Sequence, residues 1–314
     1  MPHLPPRLIG HYQGLPDGPA VIAFGCMHGN EVAGVKALKR VLHLLEIEPQ
    51  HNPDFQYRGH LLAIRGNRHA SARGVRFIEK DLNRQWIPEH IARIKQIPIQ
   101  ALRAEDWELR ELVGLIDSFI AKVKPSRLIV LDLHTTTADG GIFSITTEDP
   151  ASIELAKSMH APVITGMLTG LQGTTLHYFS EDHFPYPTVA VSFEAGQHHD
   201  PKSTERAVAA IINVLRSVGA VKAEDVHHHH DDLLIKYSQN LPKVAHLRGV
   251  YRIRPQDHFQ MRAGFHNFQP VKSGTLLAHD RNGPVLSPYD STLLMPLYQS
   301  QGEDGFFLIE VVED

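Results

Sequence analysis

The sequence predicts an α/β fold, a mostly parallel or mixed sheet flanked by helices, followed by a smaller all-β domain. Three observations carry this reading. Up to about residue 222, short apolar runs alternate with stretches whose apolar residues recur at helical spacing. After Asp232, short segments punctuated by Gly, Pro, Asn and Asp replace that alternation. Between them the composition changes abruptly at His227-His228-His229-His230-Asp231-Asp232. We therefore divide the chain into an α/β domain at 1–222, a His/Asp-rich linker at 223–232 and a β-rich C-terminal domain at 233–314. The histidine tract is read as a solvated linker rather than a metal reservoir.

The elements follow in order. Ala20–Phe24 is an apolar strand stopped by Gly25. Glu31–Glu46 puts Val32, Val35, Leu38, Val41, Leu42 and Leu45 on one helical face. His60–Arg65 and Arg127–Leu133 are further strands, with a helix over Asp106–Lys122 before the latter. A helix over Pro150–His160 follows, then Pro185 and Pro187 mark a loop before the strand Thr188–Phe193, and Ser203–Val218 closes the α/β region as a helix. Gly249–Ile253, Thr275–Leu277, Ser291–Met295 and Gly305–Val312 are the short strands of the β-rich part. In open α/β sheets ligands bind beyond the carboxyl ends of the strands, and His28, His134 and Glu194 all fall there.

Bulk properties exclude several classes. A formal net charge of −4 gives no field favouring nucleic acid or a membrane surface. The single cysteine, Cys26, allows no internal disulfide, which fits a reducing compartment. No charged head with an apolar run opens the chain, and no apolar stretch approaches membrane-spanning length. The expectation is a soluble cytoplasmic protein acting on a small molecule.

The chemistry-bearing residues form a pattern. In Gly25-Cys26-Met27-His28-Gly29-Asn30-Glu31 an imidazole and a carboxylate stand one turn apart where a strand meets a helix, so both can reach one zinc ion. A catalytic zinc takes three protein ligands, and His134 offers the third. In Asp132-Leu133-His134 the outer two share a strand face, so Asp132 can orient His134. Arg76 and Arg84, with Asn83 beside the latter, supply donors suited to a carboxylate; the alternative is a charged surface loop. Glu194 ends an apolar strand before Ala195-Gly196 and suits a general base, with a salt-bridged glutamate as the alternative. Cys26 is read as a buried structural thiol, with metal ligation as its alternative.

In their order, His28-Gly29-Asn30-Glu31, Arg76, Asp81-Leu82-Asn83-Arg84, Asp132-Leu133-His134 and Glu194-Ala195-Gly196 resemble the succinylglutamate desuccinylase/aspartoacylase branch of the zinc carboxypeptidase superfamily. The resemblance covers the first two-thirds of the chain and implies a zinc-carboxypeptidase-like fold with one zinc per chain, held by His28, Glu31 and His134. It implies Glu194 as base and then acid, Arg76 polarising the scissile carbonyl, and Asn83 and Arg84 gripping the substrate carboxylate. The implied reaction is hydrolysis of an N-acyl amino acid.

One stretch departs from the pattern. Aspartoacylase-like members resemble one another in an arginine on the loop before the base, whereas His177–Tyr186 here has none and carries Glu181 and Asp182. This predicts a substrate side chain that is neutral or apolar, with Tyr178, Phe179 and Tyr186 as an apolar or aromatic wall; packing residues are the alternative for these three. The rival readings are a metallocarboxypeptidase acting on peptides and a non-catalytic metal-binding relative. Access to the site discriminates the first, and retention of Glu194 and Arg76 argues against the second.

Overall fold

The computed structural model describes residues 4–179, 183–254 and 256–313. In chain order it begins with β1 (Leu8–Gln13), β2 (Leu15–Gly25), α1 (Ala33–His51), β3 (Arg58–Arg65), α2 (Arg68–Arg73), α3 (Pro88–Gln96), α4 (Ala104–Val123) and β4 (Leu128–Thr136). Next come β5 (Phe143–Thr146), α5 (Pro150–Lys157), β6 (Val163–Thr165), α6 (Met167–Gly170), α7 (Thr175–Tyr178), β7 (Thr188–Gln197), α8 (Ser203–Ser217) and α9 (His229–Ser238). The chain closes with β8 (Val244–Arg252), β9 (Gln260–Met261), β10 (Gln269–Val271), β11 (Leu276–Asp280), β12 (Gly283–Leu286), β13 (Ser291–Leu294) and β14 (Asp304–Glu313).

Eleven of these strands share one sheet in the order β1-β3-β2-β4-β7-β5-β6-β8-β14-β13-β10. The β3–β2–β4–β7 centre is parallel, and β1 and β5 pair antiparallel at its flanks. The central strands read as unbroken apolar runs because both faces are covered. Ile22, Phe24, Ile64 and Val130 face α3 and α4 with Ile94, Leu112 and Ile116. Val21, Ala23, Leu131 and Leu133 face α1, α5 and α8 with Leu38, Val41, Leu155 and Ile211. Each predicted strand and helix of residues 1–222 is present, and α1 continues past Pro49 to His51. Sequence reading missed β1, β5, β6 and α3, which are short and carry too few residues for a period to stand out.

The C-terminal strands are continuous with the main sheet. β6 pairs in parallel with β8, with Val163 opposite Val244 and Thr165 opposite His246. Through β8, the strands β14, β13 and β10 extend the main sheet, while β12, β11 and β9 form a small antiparallel sheet. The stretch expected to be a solvated linker is also partly structured. A short turn at Ala223–Asp225 leads into α9, which begins within the histidine run. Leu234 is fully buried, and Asp231 receives both terminal nitrogens of Arg216 on α8.

The parallel centre needs α1 close against the end of β2. A Cβ on Gly25 would lie 2.7 Å from the Val35 nitrogen and 2.8 Å from the Gly34 carbonyl carbon. Gly25→Ala is expected to destabilise the protein by about 1–3 kcal/mol, because backbone at that distance cannot yield locally. Gly114→Ala is the control: on α4 its Cβ would meet only Arg110 Nη1 at 4.0 Å. That change is expected to stabilise by about 0.5–1 kcal/mol through helix propensity. Urea midpoints of the two variants check the pair, and equal shifts would refute the packing argument.

Candidate metal centre

The site is assembled from loops at the carboxyl edge of the parallel strands. After Gly25, Cys26 adopts a left-handed φ of 56°, and the chain turns through His28 to Glu31 before α1. The loop after β3 is locked beside it: the N–H groups of Gly66 and Asn67 donate to the carbonyls of Gly25 and Cys26 at 2.9 and 2.7 Å. Gly29 donates to the Arg76 carbonyl at 3.0 Å, and a Cβ there would stand 2.2 Å from the Ala70 carbonyl carbon. A fully buried carboxylate, Glu105 on α4, shapes the next segment. It accepts from the N–H groups of Ile78, Glu79 and Lys80 and from the Asn67 amide. These contacts bring residues 76–84 against His28.

Glu31 is the centre of the cluster. Its Oε1 lies 2.8 Å from His28 Nδ1, and its Oε2 lies 2.9 Å from His134 Nδ1 and accepts from the Thr135 N–H at 3.1 Å. Each imidazole turns its other nitrogen to a buried carboxylate: His28 Nε2 to Asp81 Oδ1 at 3.2 Å, and His134 Nε2 to Asp132 Oδ2 at 3.0 Å. Burial alone would raise the Glu31 carboxyl, but His28 and His134 hold it well below the usual carboxylate range. Burial would lower His134, but Asp132 and Glu31 hold its imidazole well above the ordinary value. One donor atom from each of His28, Glu31 and His134 lies within 4.8 Å of the others, and among the described residues no other such group of three occurs. Two imidazoles and a carboxylate, with both rings oriented by outer carboxylates, fit a zinc ion.

The remaining predicted residues surround this cluster. Glu194 stands opposite His134 in the β4–β7 register and lines the same cavity. Its Oε2 is buried with no hydrogen-bond partner among the described residues, and burial pushes its carboxyl up to about 7. Arg76 donates through Nε and Nη2 to Asp81 Oδ2 at 3.1 and 2.8 Å, leaving Nη1 3.5 Å from Glu31 Oε1. Asn83 accepts from the Thr175 N–H at 3.0 Å, and its amide nitrogen lies 3.4 Å from His134 Nε2. Arg84 is less free than the sequence implies: Nη1 donates to the Asn83 carbonyl at 2.7 Å and Nη2 to Asp304 Oδ2 at 2.6 Å. Its Nε is buried and without a partner among the described residues. Cys26 donates to the Glu31 carbonyl at 3.3 Å, and burial pushes its thiol up to about 11, so it is structural.

The segment 295–303, between β13 and β14, crosses over the site. Asn30 donates to Gln299 Oε1 at 2.9 Å, and the Arg76 N–H donates to Gln301 Oε1 at 3.0 Å. Thr137 donates to the Pro296 carbonyl at 2.9 Å and accepts from the Tyr298 N–H at 3.1 Å. The expected aromatic wall is not there. The single-turn helix α7 directs Tyr178 and Phe179 into the core, where Phe179 packs on Phe24 and Trp86 and Tyr178 packs on Trp86. Tyr186 is packed against the same core. Leu168, Leu171, Leu176, Met295, Leu297 and Phe307 supply the apolar lining instead. Glu181 and Asp182 lie outside the described residues. Sequence reading gave no role to Glu105, His198, Gln299, Gln301 or Asp304. They are remote in the chain from the residues they support, and none stands in a spaced pattern.

Comparison with known proteins agrees with this geometry. Residues 17–218 match the family described as the succinylglutamate desuccinylase/aspartoacylase catalytic domain. A probable aspartoacylase from a Nostoc species is 32% identical over 136 residues, 43% of this chain, and the match spans only 42% of that relative's length. A succinylglutamate desuccinylase from Pseudomonas paraeruginosa is 24% identical over 275 residues, covering 82% of this chain and 73% of the relative. The crystal structure of a Vibrio cholerae succinylglutamate desuccinylase superposes with a TM-score of 0.63 at 18% identity, covering 95% of this chain and 82% of that one. That last likeness concerns the fold alone.

The contact between Asp132 and His134 can be tested directly. Asp132→Asn keeps the shape of the side chain but removes the charge facing the imidazole, and zinc affinity is expected to fall about 10–100-fold. Competition with a chromogenic chelator measures it. An unchanged affinity would show that the imidazole needs no such partner.

Proposed function

This chain belongs to the succinylglutamate desuccinylase/aspartoacylase family, and we propose that it is a zinc-dependent hydrolase cleaving the amide bond of an N-acyl amino acid. The observation that carries this reading is Glu194: a buried carboxylate with an unpartnered oxygen, in register with His134 beside the His28/Glu31/His134 cluster. Metal binding alone has no use for such a group, whereas hydrolysis of an amide needs a base.

His28, Glu31 and His134 would hold the zinc, and the ion when bound would supply Lewis-acid polarisation and acidify the attacking water. Glu194 takes the proton from that water and returns it to the leaving nitrogen, as general base and then general acid. Arg76, fixed by Asp81 with Nη1 turned toward Glu31, stabilises negative charge as it develops on the scissile carbonyl oxygen. Asn83 and Arg84 take the carboxylate of the amino-acid portion, for which Arg84 keeps the Nε–H that has no partner among the described residues. Holding that end spends binding energy on aligning the amide.

Two observations support the finer choice of substrate. The 295–303 segment, bonded to Asn30, Arg76 and Thr137, leaves little room for a peptide, which favours a small N-acyl amino acid. The leucine-rich lining, with Arg76 and Arg84 as its arginines, favours a neutral or apolar substrate side chain.

Glu194→Ala is expected to retain zinc at wild-type stoichiometry while kcat falls by about 100-fold or more. Metal analysis with turnover of N-acetyl-leucine checks this, and unchanged turnover would remove Glu194 from the mechanism. Across N-acetyl amino acids, leucine and methionine derivatives are expected to exceed the aspartate derivative by at least about tenfold in kcat/KM, because the apolar lining leaves a second carboxylate unpaired. A preference for the aspartate derivative would overturn the apolar assignment.

A further inference from the structure

His198 lines the same cavity and has no part in the chemistry described above. It stands just past β7, where its N–H donates to the Thr136 carbonyl at 2.9 Å. Its Nδ1 lies 2.7 Å from the Thr135 hydroxyl, and the Thr135 N–H is the group that holds Glu31 Oε2. The ring is therefore fixed to the backbone of the metal cluster. Its Nε2 is buried and has no hydrogen-bond partner among the described residues. A buried polar atom without a partner is costly and uncommon, and in a cavity it marks where a ligand atom belongs.

The two faces of the sheet set which part of a ligand that is. Asn83 adjoins His134, and the chain runs on through Arg84 to Trp86 in the core against α3 and α4, whereas His198 leads into α8 on the opposite face and bonds Thr135, the strand neighbour of His134 that alternates to that face. A substrate held at its carboxylate by Asn83 and Arg84, with its amide at the cluster, extends its acyl group toward the His198 face. We propose that His198 is a further substrate-binding residue whose Nε2 hydrogen-bonds the acyl group. The acyl class it selects carries an oxygen beyond the scissile carbonyl, such as a short hydroxyacyl or dicarboxylic acyl group. This inference rests on the hydrolase reading above.

The test compares substrates that differ only in the acyl part, using the zinc-loaded full chain. N-glycolyl-leucine and N-succinyl-leucine each add oxygen to the acyl group of N-acetyl-leucine. Wild type is expected to favour at least one of them over N-acetyl-leucine by about tenfold in kcat/KM, the effect of one buried hydrogen bond. His198→Phe is expected to bring that ratio close to one, and His198→Gln, whose amide can replace the lost contact, to restore part of it. Should His198→Phe fail to fold, Thr135→Val carries the same expectation, since it releases the imidazole but keeps the N–H on Glu31. No wild-type preference for either oxygen-bearing substrate, or equal loss on all three in the variants, overturns the role of His198. Failure of wild type to hydrolyse any of the three overturns the hydrolase reading itself.

Discussion

The site depends on one buried carboxylate placed between two imidazoles. Glu31 comes from the turn after β2 and His134 from the end of β4, so their meeting is set by the parallel register that puts Phe24 opposite Asp132 and Gly25 opposite Leu133. Side chains alternate across a strand, so a slip of one residue would bury Leu133 at the cluster and turn His134 into the opposite core. The apolar residues that fix this register, Val21, Ala23, Leu131 and Leu133 on one face and Ile22, Phe24 and Val130 on the other, thereby fix the chemistry.

Charge is concentrated here and is balanced locally. Asp81 accepts from Arg76 and faces His28, Asp132 faces His134 and accepts from the Thr175 hydroxyl at 2.6 Å, and Asp304 accepts from Arg84. Burying a carboxylate without partners is prohibitive. Here each gains partners whose own orientation it fixes, so the charged groups hold one another in place. Glu105 does the same for backbone, where three successive N–H groups outside any helix converge on it. Asp132 keeps one buried oxygen, Oδ1, without a partner among the described residues, and Glu194, which lines the cavity, keeps its Oε2 so.

Much of this was legible in the sequence. The strand that leads to His28 and those that carry His134 and Glu194 contain apolar runs long enough to read, and the polar residues follow those runs. The spacing of His28 from Glu31 and of Asp132 from His134 encodes shared faces, and both pairs do point together. What was not legible depends on long-range contact. Asp304 stands 220 positions from the arginine it holds, and the strap with Gln299 and Gln301 reaches the site only once the sheet has formed. The aromatic wall failed for a local reason: aromatic residues beside a site suit a core equally well, and the turn at Thr175–Tyr178 aims Tyr178 and Phe179 at Trp86. His227–His229 are exposed, and composition does not reveal that just beyond them Asp231 binds Arg216 on α8 and Leu234 is buried.

The pairing of β6 with β8 bears on how the cavity is reached. A bilobed enzyme joined by a flexible link can gape, each lobe swinging as a rigid body. Here such a rotation would rupture the ladder joining Val163–Thr165 to Val244–His246, several backbone bonds at once, with the sheet beyond it. The two halves are thus mechanically one plate. The strap at 295–303, tied to Asn30, Arg76, Phe77 and Thr137, is the part of that plate that spans the metal cluster without belonging to a strand.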